Sequence, residues 1–541
     1  MGLGVLDPAV HRLVPGTVAL GEQALSQSID GIHLKKGTGR HADVVLSPQP
    51  SDDPNDPLNW PYYQKLVILG IIVLGACFCV CCTGPLLNAS LYVLSLELNR
   101  SFADLALLSG YQILVAAASG PFVSIFAAKY GKRAVLLFSS VACLVGTIIC
   151  SCAQTYNTLL AGRIVQGLCL AAWESLPFTI VGDLFFVHER GLWTTVVSFM
   201  MTAVSNLTSV IAGQIVVATS WHALFHILNG CLGLLIILQF FFMPETAYRR
   251  IPVDLTQIAL EPESDDKAQS ANVSQVENRP SGQPIAKKTY VQSLALYTGT
   301  YDDRSLLHNL FSLLVVCTNL GALWTVIITG AVSSFYVAMA YVTAQLFGPP
   351  PYGLSAAGIG NLSIGPFLGG AIGSVLAAIV MDPLCLWLVK KNKGVFEPEF
   401  RLLLNIVGIC CPVGLFAFGA LAKSQGDIIV IDFTWGLTLF GIAFIGAPCS
   451  AYAIDAYHEL SNEIFIISIM FKNFLFYAYS YFVNNWVGDS GPAIPFYTFG
   501  GISFGLLATT VIVYMFGKRY RLYWSTRTWT KKSDMDATAR V

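Results

Sequence analysis

Charge is what this 541-residue sequence has least of. Only 12% of its residues are Asp, Glu, Lys or Arg, against about 25% in soluble globular domains. With 55% apolar residues and a mean hydropathy of +0.63, a set of soluble domains is excluded, since it would have too little polar surface to cover it. No basic stretch followed by a short apolar core opens the chain. No cleavable secretory signal is therefore expected, and the first long apolar run serves as the insertion signal. A GxxxxGK[ST] loop is also missing, so nothing in the chain points to ATP-driven pumping. The 14 cysteines fall mostly inside apolar runs, four of them (Cys77, Cys79, Cys81 and Cys82) in one run, and no CxxC pair stands in a polar loop. Buried thiols act as small hydrophobes, so neither a disulfide framework nor a metal site is expected. No signal for an enzyme, a cofactor or a nucleic-acid partner appears.

What the sequence does contain is a series of apolar runs between Leu66 and Phe516. Each is about 20 residues long, enough to cross about 30 Å of hydrocarbon. They predict helices over 64–87, 103–128, 134–153, 158–182, 192–217 and 222–243, then over 312–346, 354–390, 402–421, 430–453, 464–487 and 495–516. The expected fold class is an all-α polytopic membrane protein, with twelve transmembrane helices in two six-helix halves. The seventh and eighth runs are long for simple spans, which predicts tilt or a break near Gly330 and Gly365-Pro366. Gly84-Pro85 and Gly446 to Pro448 are further candidate kinks. The divisions expected are a tail over 1–63, halves over 64–243 and 307–516, a linker over 244–306 and a second tail over 517–541. The linker carries EPESDDKAQSANVSQVENRPSGQP, whose polar composition cannot bury enough surface to fold alone.

Basic residues set the orientation. KYGKR (129–133), HERG (188–191), YRR (248–250), KKNKG (390–394) and KRYR (518–521) all fall on one side, and the opposite loops hold only Arg100 and Lys423. Lys and Arg stay cytoplasmic, so both termini and the linker are expected inside, with the plasma membrane as location. Sequons at Asn88 and Asn99 then fall in the first outer loop as possible glycosylation sites, whereas those at Asn206 and Asn361 match by chance inside helices. Twelve helices in a 6+6 arrangement fit the plan of paired transporter halves, with a substrate site near the bilayer midplane.

Ionisable groups at that depth are costly and usually functional. In the fourth helix Arg163, Gln166, Leu170 and Glu174 step by 3, 4 and 4, which returns to one face. Glu174 sits just cytoplasmic of the middle, one turn before Pro177. This stripe reads as a proton-linked carboxylate with an arginine in the translocation path, or else as a structural network joining helices. In the eleventh helix Asn473, Tyr477, Ser480 and Asn484 share a face, read first as packing contacts between helices. Lys472 points elsewhere and is expected to snorkel toward the cytoplasm. The seventh helix offers Thr318, Thr325, Thr329 and Tyr336 with Asn319 and Trp324 beside them, a candidate lining for an organic solute or, equally, a packing face.

Several stretches carry a resemblance. DPNDPLNWP (53–61) resembles the DPxNPxNWP stretch before the first helix of fungal twelve-span members of the major facilitator superfamily, a branch of drug:proton antiporters and polyamine or cation transporters. RIVQG (163–167) resembles that branch's RxxQG motif, and ESLPFTIVGDLFFVHERG (174–191) its continuation. PETAYRR (244–250) and NKGVFEPEFRL (392–402) resemble the end of the sixth helix and the loop after the eighth. The resemblance implies secondary active transport by alternating access, typically proton-coupled, by a monomer in the lipid bilayer. It adds that Arg163 matches an arginine linked to proton coupling. It also implies cytoplasmic gating networks at Lys129, Gly131, Lys132 and Arg133, at Asp183 with Glu189 and Arg190, and at Glu397, Glu399 and Arg401. Two departures stand out. In SIFAAKYGKR (124–133) Ser124 replaces the usual leading glycine and Ala128 the usual aspartate, while TSVIAG (208–213) keeps only the last glycine of the antiporter GPxxGG pattern. The expected function is proton-coupled transport of a small organic solute, as efflux of a toxic compound or secondary metabolite. The alternatives are uptake of polyamines or other organic cations, with Glu174 recognising an amine, and a transporter-like solute sensor.

Overall fold

Backbone facing lipid has no water to bond with, so a chain crosses a bilayer only as helices or closed barrels. The computed structural model of this protein has, among the described residues, twelve helices of membrane-spanning length and apolarity. It describes residues 53–248 and 289–526, except 296, 298, 302–304, 393–394 and 458–459, together with residues 4–6, 14 and 16–19. The first half comprises α1 (Tyr62–Glu97), α2 (Phe102–Tyr130), α3 (Lys132–Ser151), α4 (Tyr156–Leu184), α5 (Val187–Ala218) and α6 (Trp221–Phe242). The second comprises α7 (Leu320–Phe347), α8 (Ala356–Lys391), α9 (Pro398–Lys423), α10 (Ile428–Ala456), α11 (Ser461–Ser490) and α12 (Ala493–Ser525).

Each half is held by its own apolar core, around Ile72, Leu105, Trp173 and Phe225 in the first and Phe335, Phe347, Phe418 and Phe496 in the second. The halves meet where α2 packs on α11 and α5 on α8. Small residues permit that approach. A Cβ added at Gly213 or Gly360 would sit 2.5 Å from the carbonyl oxygens of Ala356 and Ser209 across the α5–α8 contact. The basic loops between α2 and α3, α4 and α5, and α8 and α9 lie at one end of the bundle, here termed the basic end.

Several boundaries differ from the sequence expectation. α1 continues to Glu97 through a π-helical turn, Cys77–Cys82, and a 3₁₀ stretch, Pro85–Ser90. Pro85 supplies no N–H to the α ladder, so the helix loosens there and then resumes. Asn88 therefore lies in the 3₁₀ part of α1, two residues from the buried Ser90, and not in a loop. Asn99 does lie in the connection to α2, with a left-handed φ of 52°.

The seventh run breaks at Asn319 instead of Gly330, leaving a short helix, Leu306–Thr318, ahead of α7. The Asn319 side chain accepts hydrogen bonds from the N–H groups of Gly321 (3.0 Å) and Ala322 (3.2 Å). These are two of the donors that a new helix leaves open. Gly330 instead packs against Phe471 of α11. The eighth run breaks at Leu362–Ser363, a few residues before Gly365-Pro366. There the Asp432 carboxylate of α10 accepts from the Gly365 N–H at 2.9 Å. α12 runs on to Ser525, so residues 517–525 are helix and not tail. Of the linker expected over 244–306, residues 249–288 lie outside the described residues.

The cap at Asn319 makes a testable claim. Asn319→Ala should lower stability by ~1 kcal/mol, the usual cost of losing an N-cap acceptor, read as a reduced Tm in detergent. Asn319→Asp, which keeps the acceptor, should retain most of it. An alanine variant with unchanged Tm would show that the cap contributes nothing.

Candidate functional site

The α4 stripe proves to serve two places. Arg163 is fully buried inside the first half. Its Nη1 donates to the Thr83 carbonyl of α1, to Gln112 Oε1 of α2 at 3.1 Å and to Gln166 Oε1 at 3.4 Å. Gln166 in turn donates to Thr147 Oγ1 of α3 at 2.8 Å, and the guanidinium lies 5.4 Å from the Phe225 ring centroid of α6. No carboxylate partners it among the described residues, and its Nε and Nη2 find no acceptor. The node ties five helices of one half together.

Glu174, eleven residues further along the same face, meets the other half. Its Oε1 pairs with the Lys472 ammonium and its Oε2 accepts from Asn473 Nδ2 at 2.9 Å, both on α11. The expectation that Lys472 points away and snorkels is thus overturned: a carboxylate is within reach, and pairing with it offsets desolvation that a solitary ammonium would have to escape. The contact lies in a layered seam along α11. Toward the basic end Phe178 meets Phe465 edge-on at 5.7 Å. Toward the opposite end the Tyr477 ring lies 5.6 Å from that of Tyr111, and Ser480 then packs on Gly110. A narrow crevice between α2, α4 and α11 is lined by Ala117, Gly120, Ala171, Ser175, Ile466 and Met470.

The polar face of α7 is divided in the same way. Thr325 and Thr329 bond back to carbonyls of their own helix, Asn319 caps it, and Trp324 Nε1 donates to Thr509 Oγ1 of α12 at 2.8 Å. These four are built into the second half. Tyr336 instead bonds the Asn206 carboxamide of α5 across the halves, with its ring 5.9 Å from Trp435. Of the proposed cavity residues, then, Tyr336, Asn473 and Tyr477 stand where the halves meet. Sequence reasoning meets Asn206 only as a chance sequon and passes over Asp432. The available signal for Asp432 was an acid one turn inside an apolar run. Near the end opposite the basic one, a groove of about 780 Å³ opens between Tyr92, Glu97, Val216, Gly348, Leu354 and Ser355.

At the basic end the described ion pairs stay within each half. Lys132 Nζ lies 2.5 Å from Asp183 Oδ2. Arg190 donates to the Phe185 and Gly182 carbonyls, and Glu189 occupies the first turn of α5, where a negative charge suits the helix dipole. The Lys129 carbonyl accepts from the Tyr301 N–H at 2.9 Å. Glu245 of the PETAYRR stretch, not singled out from sequence, accepts from the N–H groups of Lys132 and Arg133, each at 3.0 Å, and of Ala247 at 2.9 Å. Gly131 turns the chain there with φ +102°, and a Cβ on it would strike Glu245. Tyr248 then reaches Asp53 Oδ2 at 3.0 Å, so DPNDPLNWP and PETAYRR clasp the start of α1 to the end of α6.

In the second half Arg521 bonds both Glu399 (2.8 Å) and Glu397 (3.1 Å), Lys518 also pairs with Glu397, and Arg401 lies 2.6 Å from Asp455. An N-terminal segment joins this cluster. β1 (Val18–Ala19) pairs antiparallel with β2 (Val395–Phe396), and Thr17 donates to Glu397 Oε2 at 2.7 Å. Removing the Glu245 carboxylate should expose these networks: Glu245→Ala leaves three backbone N–H groups without their acceptor. At about 1–3 kcal/mol per stranded buried donor, the Tm in detergent should fall by several degrees, and Glu245→Gln should recover part of the loss. A Tm equal to wild type would show that the Glu245 carboxylate contributes nothing to holding the start of α3.

The family model described as Major Facilitator Superfamily matches residues 71–475. The chain is 26% identical to an uncharacterized MFS-type transporter of Schizosaccharomyces pombe over 95% of this chain and 94% of that one. It is 24% identical to the Saccharomyces cerevisiae protein HOL1 over 96% of each. A shorter match, 24% identical over 33% of this chain and 31% of the other, is to an efflux pump of Dothistroma septosporum. Among solved structures, a D-xylose-proton symporter superposes with a TM-score of 0.57 at 15% identity, covering 82% of this chain and 97% of that one. The chain belongs to the Major Facilitator Superfamily, and is a transporter of small solutes and not an enzyme.

Proposed function

We propose that the protein is a proton-coupled secondary transporter that exports a small organic solute by alternating access, with Glu174 as the group whose protonation drives the change. The observation that carries this reading is the contact of Glu174 with Lys472 and Asn473, a part-buried charged pair at the seam that joins the two halves. With Glu174 ionised, the ammonium and the carboxamide hold α11 against α4. A proton arriving on Glu174 removes the negative charge and leaves Lys472 without a counter-ion. Lys472 is only part-buried, its side chain 26% exposed, so an ammonium that has lost its counter-ion moves toward water, and the contact between α4 and α11 loosens. Loss of the proton restores the pair. Protonation thus favours one arrangement over the other, as coupling requires. The basic end faces the cytoplasm by the distribution of Lys and Arg, which puts both termini inside and the 780 Å³ groove outside. Export takes support from the relative named as an efflux pump.

A second reading, uptake of an organic cation, is favoured by one feature: Glu174 and Asn473 together already hold an ammonium, that of Lys472.

Purified protein in vesicles with an imposed pH gradient tests both. Glu174→Gln should lower gradient-driven accumulation by ~10-fold or more, the factor that about 1.4 kcal/mol of coupling represents, while solute exchange without a gradient stays near wild type. A Gln variant that accumulates solute as well as wild type would remove Glu174 from coupling. The sign of the gradient that concentrates solute inside the vesicles, with a solute series of neutral compounds and amines, separates export from cation uptake.

A further inference from the structure

We propose that Cys79, Cys143 and Cys169 form a site for one thiophilic metal ion, Cu(I) held by three sulfurs, inside the first half. The thiols come from α1, α3 and α4, all three side chains are fully buried, and their Sγ atoms lie within 4.8 Å of one another. The cysteine-rich run of α1 reads as plain hydrophobic filling, but its geometry sorts its thiols. The run is a π-helical turn, Cys77–Cys82, a local widening that recurs at functional sites. Cys81 donates to the Met201 carbonyl at 3.1 Å and Cys82 lies 3.6 Å from Thr208 Oγ1, both on α5. Cys79 faces the other way, toward α3 and α4.

The donor set selects the metal. Thiolates favour Cu(I) and Zn(II), but structural zinc takes four ligands, and no fourth Cys, His or carboxylate joins the cluster among the described residues. Three sulfurs around an ion at about 2.3 Å each would stand ~4.0 Å apart in a trigonal plane, inside the observed limit.

A second, independent observation comes from Arg163. Its guanidinium is fully buried, has no carboxylate among the described residues, and leaves Nε and Nη2 without acceptors. A lone buried charge is strongly unfavourable. The arginine is linked to the thiol site along α3. Thr147, one turn beyond Cys143, donates to the Cys143 carbonyl at 2.7 Å and accepts from Gln166, which also bonds Arg163. Cu(I) bound by two thiolates and one thiol carries a net charge of −1, with two protons released to water on binding. That charge offsets the guanidinium, so site and arginine together are neutral in an apolar surrounding, where isolated charges are not tolerated.

The test is metal binding by the purified, full-length protein in detergent, with Cu(I) supplied anaerobically against a competing chelator. Wild type should retain a single equivalent after desalting, by elemental analysis, and X-ray absorption at the copper edge should show a sulfur-only shell. Cys143→Ser and Cys169→Ser should each weaken copper binding by ~10-fold or more, at least the loss seen on disturbing a metal's surroundings. Cys81→Ser, in the same helical turn but outside the cluster, should bind as wild type. Size-exclusion profile and helix content of each variant separate loss of the site from loss of the fold. The proposal is overturned if wild type retains no copper above buffer, if the shell contains nitrogen or oxygen, if Zn(II) displaces Cu(I) at equal concentration, or if folded Cys143→Ser binds as wild type.

Discussion

Lipid accepts no hydrogen bonds, and the rest of this structure follows from that constraint. Every interruption in a helix inside the bilayer has to be repaired by protein. The break before α7 is repaired by Asn319, and the break within α8 by Asp432 reaching over from α10. α1 needs a different solution at Pro85, and slackens into π and 3₁₀ geometry before resuming. The same rule explains the threonines of α7 and α10, whose hydroxyls return to carbonyls of their own helices. Polar side chains here are mostly repairs, and those that are not repairs are informative.

Apart from the Arg163 node inside the first half, two such exceptions stand where the halves meet. Glu174 with Lys472 and Asn473, and Tyr336 with Asn206, spend polar groups on a boundary that small residues and aromatic rings could close alone. An apolar boundary would be cheaper and permanently shut. The strength of a charged one depends on the protonation of its members, which is the physical reason that the proposed coupling centres on Glu174. At the basic end the described networks have the opposite character: Glu245 and the Glu397–Glu399–Arg521 cluster stiffen each half separately. Position 128, where the resemblance leads one to expect aspartate, carries alanine, so no carboxylate is present there to reach across.

Much of this was legible before any coordinates. Twelve spans and their 6+6 grouping follow from run lengths, and Arg163, Gln166 and Glu174 share a face by helical arithmetic alone. The DPNDPLNWP and PETAYRR stretches were recognisable as markers, yet the contact between Asp53 and Tyr248 that joins them was not. Lys472 was misjudged because snorkelling and pairing look identical in one dimension. A lysine two turns from a helix end can do either, and only the position of a carboxylate on another helix decides. Asn319 likewise looks like a lining residue in the sequence, whereas the helix break falls on it and takes up its side chain as a cap.

Hydropathy runs depend on composition within a single segment, so the sequence by itself determined the spans, the sidedness of the basic loops and the membership of each stripe. Partnership across helices depends on rotation, tilt and breaks, which are set by the packing of all twelve together. Only the tertiary structure therefore decided that Arg163 would be sealed within one half, that Glu174 would meet Lys472, and that three thiols from α1, α3 and α4 would converge.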